Sequence, residues 1–426
     1  MMDNIFIPAF IIRFFSYFYN FQTLKSKQQK NYCDSLSDAL GINHDDGNEM
    51  QKECCIVQSW PCAPRKKRYL SSADNILDLP AYSQSVFTEL LDWGTDNILL
   101  AALGNKYHKW DCEKHCISGH GEAGTTILCC KFDPRGEIVL FGTQKMVELH
   151  CNTHNKLGKE CPCPCSLSKT RVKSLCSVTA IDWSPTGNSF VAACAAGLIS
   201  SYTRSGSRLS VFCKKIFSIS LLRISPDARY VAALTLNSDQ VHIISWPALN
   251  YYTILKFDQW KIKELCWHPW STALLGIGGL MNDFRSQIAI CHAPTGIIKK
   301  CIHSNLCLDT MIFSKRSGEL VLNARTHTYD LRGSSVPGKT RSQLLVLSGP
   351  STVVDQWGNH DKMQLDRVRK MVLSPDGTKL ATATWAEDLI IWNFLPEDNV
   401  KMMNNCKRFY ELPQVLDMEA QGFSLR

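Results

Sequence analysis

Residues Met371 to Trp392 read MVLSPDGTKLATATWAEDLIIW, and one repeat of the chain is legible in them. Met371-Val372-Leu373 is an apolar run that stops at Ser374-Pro375-Asp376-Gly377, where proline presets the first turn torsion and glycine tolerates φ > 0. The pattern predicts a tight hairpin. Leu380 to Ala383 makes a short second strand of small and β-prone residues, a polar loop carries Glu387 and Asp388, and Leu389 to Trp392 makes a third strand. Three strands in about twenty residues fit one blade of a propeller.

Working outward, the same strand-turn-strand unit appears seven times: LLDWGTDNILLAAL (90–103), CKFDPRGEIVLFGT (130–143), DWSPTGNSFVAAC (182–194), RISPDARYVAAL (223–234), CWHPWSTALLGIGG (266–279), IFSKRSGELVLN (312–323) and LSPDGTKLATAT (373–384). Pro134, Pro185, Pro226 and Pro269 are 51, 41 and 43 residues apart, Lys315 takes the proline's place 46 further on, and Pro375 follows after 60. Blades of this kind recur at roughly 40–45 residues, so the two long intervals mark loop insertions. One is CNTHNKLGKECPCPCSLSKTR and the other lies between Asn323 and Ser342. A ring must also close, and Asn75 to Pro80 can add the outer strand of the last blade and protect its edge. The expected fold is all-β: a seven-bladed WD-repeat β-propeller over 68–396, with an N-terminal arm (1–67) rich in linker-like sequence and a short tail (397–426).

A 426-residue chain with 45% apolar and 20% charged residues has the composition of a soluble globular protein. Its net charge of +8 is spread along the chain without a basic stripe interleaved with aromatics, which argues against a nucleic-acid partner. Ile5 to Phe21 is apolar and aromatic, but Pro8 and Arg13 break it and it has neither a basic leader nor a small-residue cleavage site. No membrane association is expected, and the compartment read from this is cytoplasm and nucleus. Residues 22–68 carry too little apolar surface to offset the entropy of ordering, and Arg65-Lys66-Lys67-Arg68 reads as a solvated basic cluster or an import signal.

Twenty cysteines are scattered through the strands, as at Cys129, Cys130, Cys194 and Cys266, which suggests buried free thiols. Cys151-x2-His154 followed by Cys161-x-Cys163-x-Cys165 offers zinc-ligand chemistry, but prolines 162 and 164 are expected to fan the three sulfurs apart. Cys112-x2-His115-Cys116 is weaker still, so neither metal nor cofactor is expected. No nucleophile elbow, phosphate-binding loop or H-E-x-x-H occurs, and Gly278-Gly279 is expected in a β turn. The chain reads as a binding protein, not an enzyme.

Several stretches go beyond a generic propeller. Arg68-Tyr69-Leu70, Asn75 to Pro80, Phe87 to Leu91 and Asp92-Trp93, the Cys266-Trp267-His268-Pro269-Trp270 run with Gly278-Gly279, the LSPDG and AEDLIIW of the last blade, and the terminal Leu425-Arg426 together resemble the Fizzy family of anaphase-promoting complex activators. The likeness runs over 68–426 and is greatest to the family's insect, meiosis-associated branch. It implies an adaptor that docks on subunits of that ubiquitin ligase and captures degron-bearing substrates such as cyclins. On this resemblance Asp92 and Glu387 bracket the arginine of a destruction-box peptide between the first and last blades. Asn237 and Arg367 stand where the family reads a lysine-glutamate-asparagine degron, with Met281 at a position where the family has a threonine. Phe6-Ile7-Pro8 resembles the remnant of a docking box, and Leu425-Arg426 the docking tail. The alternative is a divergent propeller scaffold that no longer docks on the ligase. A third reading, a zinc or redox protein, rests on the cysteines of 151–165.

Overall fold

The computed structural model describes residues 60–71, 73–82, 88–167, 176–212, 218–236, 238–282, 285–326, 342–358 and 365–396. Seven four-stranded antiparallel sheets are present. Six are consecutive in sequence: blade 1 (91–122), blade 2 (127–162), blade 3 (178–212), blade 4 (219–256), blade 5 (260–304) and blade 6 (307–357). Blade 7 takes three strands from 368–393 and its fourth from Ala73–Asp78. The first strand of each blade touches the first strand of the next, and that of blade 7 touches that of blade 1, so the sheets form a closed ring around an axis.

Burial grades outward from that axis, as the residue pattern requires. The first two strands of blade 3, Val178–Trp183 and Ser189–Cys194, are buried throughout. Small residues such as Ala192, Ala193, Ala232 and Ala381 let neighbouring blades approach closely. Outermost strands alternate or are open to solvent, as in Ala73–Asp78 and Lys156–Pro162.

The turn after Leu373 forms as its sequence predicts. Gly377 donates to the Ser374 carbonyl at 2.9 Å with φ 71°, and the Ser374 hydroxyl accepts the Lys379 N–H at 2.9 Å. In blade 4 the Ser225 hydroxyl takes the Tyr230 N–H at 2.9 Å in the same way. Closure uses Ala73–Asp78, paired with the third strand of blade 7 from Ala73↔Trp392 to Asp78↔Asp388. The closing strand thus begins two residues earlier than the sequence reading and ends before Leu79 and Pro80.

Two sequence expectations are corrected here. Gly278 and Gly279 lie inside the second strand of blade 5, Leu274–Met281, not in a turn. A Cβ at Gly278 would stand 2.4 Å from Leu308 Cδ2 in blade 6, so the glycine serves close blade-to-blade packing. The segment from Trp60 to Leu70, placed largely in the arm, packs on the propeller. Trp60 is 1% exposed and meets Phe313 edge-on, and the Ala63 N–H bonds the Ser317 carbonyl at 2.7 Å. Arg65 is no solvated charge: its guanidinium bonds Glu319 at 3.0 Å and Asp355 at 2.8 Å and lies over the Phe394 ring. Lys66, Lys67 and Arg68 beside it are exposed.

Among the described residues no helix is long and apolar enough to cross a membrane. Phe6-Ile7-Pro8, Asn237 and Leu425-Arg426 lie outside the described residues.

Candidate functional site

Asp92 sits at the penultimate position of the first strand of blade 1, Leu91–Trp93, and is 7% exposed. Its carboxylate accepts from Lys131 Nζ at 2.9 Å and from the Phe132 backbone N–H at 2.8 Å, both on the first strand of blade 2. Asp182 does the same for blades 3 and 4, taking the Ile224 N–H at 2.7 Å. These carboxylates therefore clamp neighbouring inner strands together.

They belong to a charged network around the axis. Arg223 of blade 4 reaches Glu89, just before blade 1, at 3.0 Å and Glu264 of blade 5 at 3.4 Å, and Lys370 of blade 7 also bonds Glu89. Burial works against the Glu89 carboxylate, but Arg223 and Lys370 outweigh it and hold its pKa below the usual range. Burial raises Glu264 and Asp182 instead. These contacts tie the inner strands of blades 4, 5 and 7 to the segment that leads into blade 1.

Glu387 lies elsewhere, in the turn between the second and third strands of blade 7, with φ 71°. Its carbonyl accepts the Leu79 N–H at 2.7 Å, which seats the end of the closing strand on this turn. Asp388 follows and is paired with Asp78. Burial raises the Asp388 pKa, and the charges of Asp78 and Asp366 add to the effect. Asp78 and Asp388 thus face each other beside the turn that holds Glu387, whereas the Asp92 carboxylate is engaged by Lys131 and Phe132 of blade 2.

Beside the turn an apolar groove of ≈ 360 Å³ opens on the seam of blades 7 and 1. Leu77, Leu79 and Leu389 form one wall and Leu99, Leu103, Trp110 and Ile117 the other. Asp78 is the carboxylate in its lining, which also includes His108 and Lys109, the latter with its Nζ turned to Asn152 and Asn155 of blade 2. Such a site accepts an apolar side chain with a cation close by. The sequence reading passed over Asp78, although it stands in the same closing segment.

A second surface has the opposite charge. It lies on the face where first strands begin and second strands end. Asp309, at the start of blade 6, is met by Arg367 at 3.1 Å, Arg325 at 3.1 Å and Lys263 at 4.0 Å, three cations around one acid. Burial pulls the Lys263 pKa down, with Asp309 opposing. Trp385 is 47% exposed, with the Arg367 and Arg369 guanidiniums 5.3 and 4.9 Å from its ring centre. Arg369 also donates to the Tyr82 carbonyl. This arrangement suits a carboxylate ligand beside an aromatic platform. Met281 ends the second strand of blade 5 half-buried, on the same face, and its side chain brings no hydroxyl.

No family model matches the chain. Among curated proteins it is 47% identical over 403 residues to "Protein cortex" of Heliconius melpomene, covering 94% of this chain and 88% of that protein. More distantly it is 23% identical to "Cell division cycle 20.5, cofactor of APC complex" of Arabidopsis thaliana, covering 84% of this chain and 74% of the relative. It is 24% identical to "Protein FIZZY-RELATED 1" of the same plant, covering 78% and 64% respectively. A chain in the crystal structure of the mitotic checkpoint complex superimposes with TM-score 0.61 at 18% identity, covering 83% of this chain and 98% of that one. That likeness shows the same propeller fold.

Proposed function

The chain belongs to the Fizzy family, in its cortex branch, and from that membership we propose that it is a non-enzymatic activator and substrate receptor of the anaphase-promoting complex. In this reading it captures degron peptides on the propeller and delivers their owners, cyclins among them, for ubiquitination in meiotic cells, in cytoplasm and nucleus. The observation that carries the reading is the seam of blades 7 and 1, where Asp78 lines an apolar groove and is paired with Asp388, next to the turn that holds Glu387. An extended peptide with an arginine and a nearby aliphatic residue satisfies both parts: the guanidinium among the carboxylates, the aliphatic chain between Leu79 and Ile117. In this proposal the second carboxylate of the destruction-box site is Asp78, while Asp92 holds blades 1 and 2 together.

The cationic surface around Arg367 and Trp385 supports a second peptide contact, in which a lysine-glutamate-asparagine degron presents its glutamate to Arg367. A destruction-box peptide titrated against the full chain, followed by fluorescence anisotropy, tests the first site. Binding that is lost in Asp78→Lys/Glu387→Lys supports it, and equal affinity in the variant removes it. Co-precipitation of ligase subunits, and its loss on deleting residues 3–8 with Leu425-Arg426, separates this function from that of a scaffold that no longer docks.

A further inference from the structure

The four sulfurs of Cys163, Cys165, Cys176 and Cys194 all lie within 4.8 Å of one another. They come from three separate places in the chain. Cys163 follows the outer strand of blade 2, and Cys165 lies in a single 3-10 turn, Pro164–Leu167. Cys176 stands two residues before blade 3, and Cys194 ends the second strand of that blade. Pro164 does not fan the sulfurs apart as its sequence suggests. It opens the 3-10 turn, which brings Cys165 Sγ to 3.4 Å from Cys163 Sγ.

The cysteines named with these two in the sequence are turned elsewhere. Cys161 donates to the Gly206 carbonyl at 3.3 Å, and Cys151 pairs with His154 at 3.3 Å. The convergent set draws on Cys176 and Cys194 instead.

We propose that Cys163, Cys165, Cys176 and Cys194 bind one zinc ion as a structural tetrathiolate site that pins the connector between blades 2 and 3. A tetrahedron with Zn–S bonds of about 2.3 Å sets its sulfurs about 3.8 Å apart, within the span seen here. The sulfurs are too close together to enclose a cluster of several irons. The backbone around them is also shaped for thiolates. N–H groups of Ala196 and Leu198 point at the Cys194 sulfur, that of Ala196 also at Cys176, and that of Cys165 at Cys163. The turn that aims the Cys194 pair closes with the Gly197 N–H on the Cys194 carbonyl at 2.9 Å, at a glycine with φ 79°. Such donors orient metal-bound sulfur and disperse its charge.

The site explains a feature of the repeat spacing. The interval between the turns of blades 2 and 3 is longer than the repeat, and the connector from Cys163 to Ser177 is polar and basic. A metal held by Cys163, Cys165 and Cys176 together with Cys194 would tie both ends of that connector to blade 3. Binding is balanced by release of the thiol protons to solvent, with no change of oxidation state.

The test begins with the full chain purified without chelator, its metal measured by plasma mass spectrometry. One zinc per chain is expected, lost in Cys176→Ser and Cys194→Ser and kept in Cys151→Ser and Cys161→Ser. Cobalt in place of zinc should give the intense visible bands of a tetrahedral tetrathiolate. Where a variant does not fold, thiol alkylation of the wild type decides: four cysteines should be protected until a chelator is added and react afterwards. A folded wild type without transition metal, a disulfide joining any two of the four, zinc retained by the Cys176→Ser/Cys194→Ser double variant, or alkylation indifferent to chelator overturns the proposal.

Discussion

The seam of blades 7 and 1 and the face around Asp309 are built from the same repeat, yet they present opposite chemistries. At the seam, an apolar groove has the Asp78 carboxylate in its lining, while around Asp309 an exposed tryptophan is flanked by guanidiniums. The difference has a local origin. The seam is where a strand from the start of the chain lies against the last blade, so Asp78 and Asp388 face each other by register. The cationic surface gathers residues at the starts of first strands and the ends of second strands in blades 5, 6 and 7, positions the hydrogen-bond ladder leaves open to vary. One propeller can therefore hold a peptide cation and a peptide anion at separate places.

The comparison breaks most readily by reversing charge at the seam. Asp78→Arg with Glu387→Arg should weaken a destruction-box peptide by at least about a hundredfold, since hydrogen bonds to charged groups contribute roughly 1.5–3 kcal/mol each. Binding of a lysine-glutamate-asparagine peptide should stay within about twofold. Parallel losses in anisotropy titrations would merge the two surfaces into one.

Arg367→Ala is the converse. It should cost the lysine-glutamate-asparagine peptide about tenfold and leave the destruction-box peptide unchanged, because Asp309 keeps Arg325 and Lys263 as partners. A smaller effect on affinity distinguishes the two seam assignments. Asp92→Asn should lower stability by about 1–3 kcal/mol in urea unfolding by weakening the Lys131 contact, with peptide affinity unaltered. If affinity collapses in a variant that remains folded, Asp92 belongs to the peptide site after all.

Acidification gives the smallest effect. The Asp388 pKa is raised from the ordinary aspartate value by burial and then by Asp78 and Asp366, so as pH falls it takes up a proton before an ordinary exposed aspartate does. Destruction-box affinity should decline through that window, whereas the guanidiniums opposite keep their charge. The free protein responds with the reverse sign, since a raised acid pKa means that Asp388 favours the fold on acidification and opposes it as pH rises through the window. Titrations at stepped pH, with Asp388→Asn as the flat reference, measure this.

The ring was legible because each blade repeats one local grammar: an apolar run, a Ser-Pro-Asp-Gly-type turn and a small-residue strand. Even the closing strand could be read, as Asn75 to Pro80 against the observed Ala73–Asp78, since an unpaired edge demands a partner. What sequence conveyed poorly was which residues meet across blades. Asp92 and Asp78 both follow a leucine in segments that resemble the family, and only the register Asp78↔Asp388 shows that Asp78 is paired with the residue after Glu387. Arg65 sits in a run of four basic residues, three of them exposed, and nothing local marks it as the one buried between Glu319 and Asp355. Gly278 looked like a turn residue because its reason for being glycine, Leu308, lies in the next blade. Cys176 and Cys194 are separated by the whole inner hairpin of blade 3, a spacing that no short ligand motif contains.

Pairing Asp78 with Asp388 also sets a schedule for synthesis. At roughly 5–20 residues per second, a ribosome needs on the order of 15–60 s to travel from one to the other. Throughout that interval the earlier blades stand as an open arc, with the edge of the newest sheet unpaired and the closing strand waiting without its partner. Newly made chains should therefore need shielding from one another until translation is nearly complete, and a stop codon anywhere before blade 7 would release an arc with no means of closing.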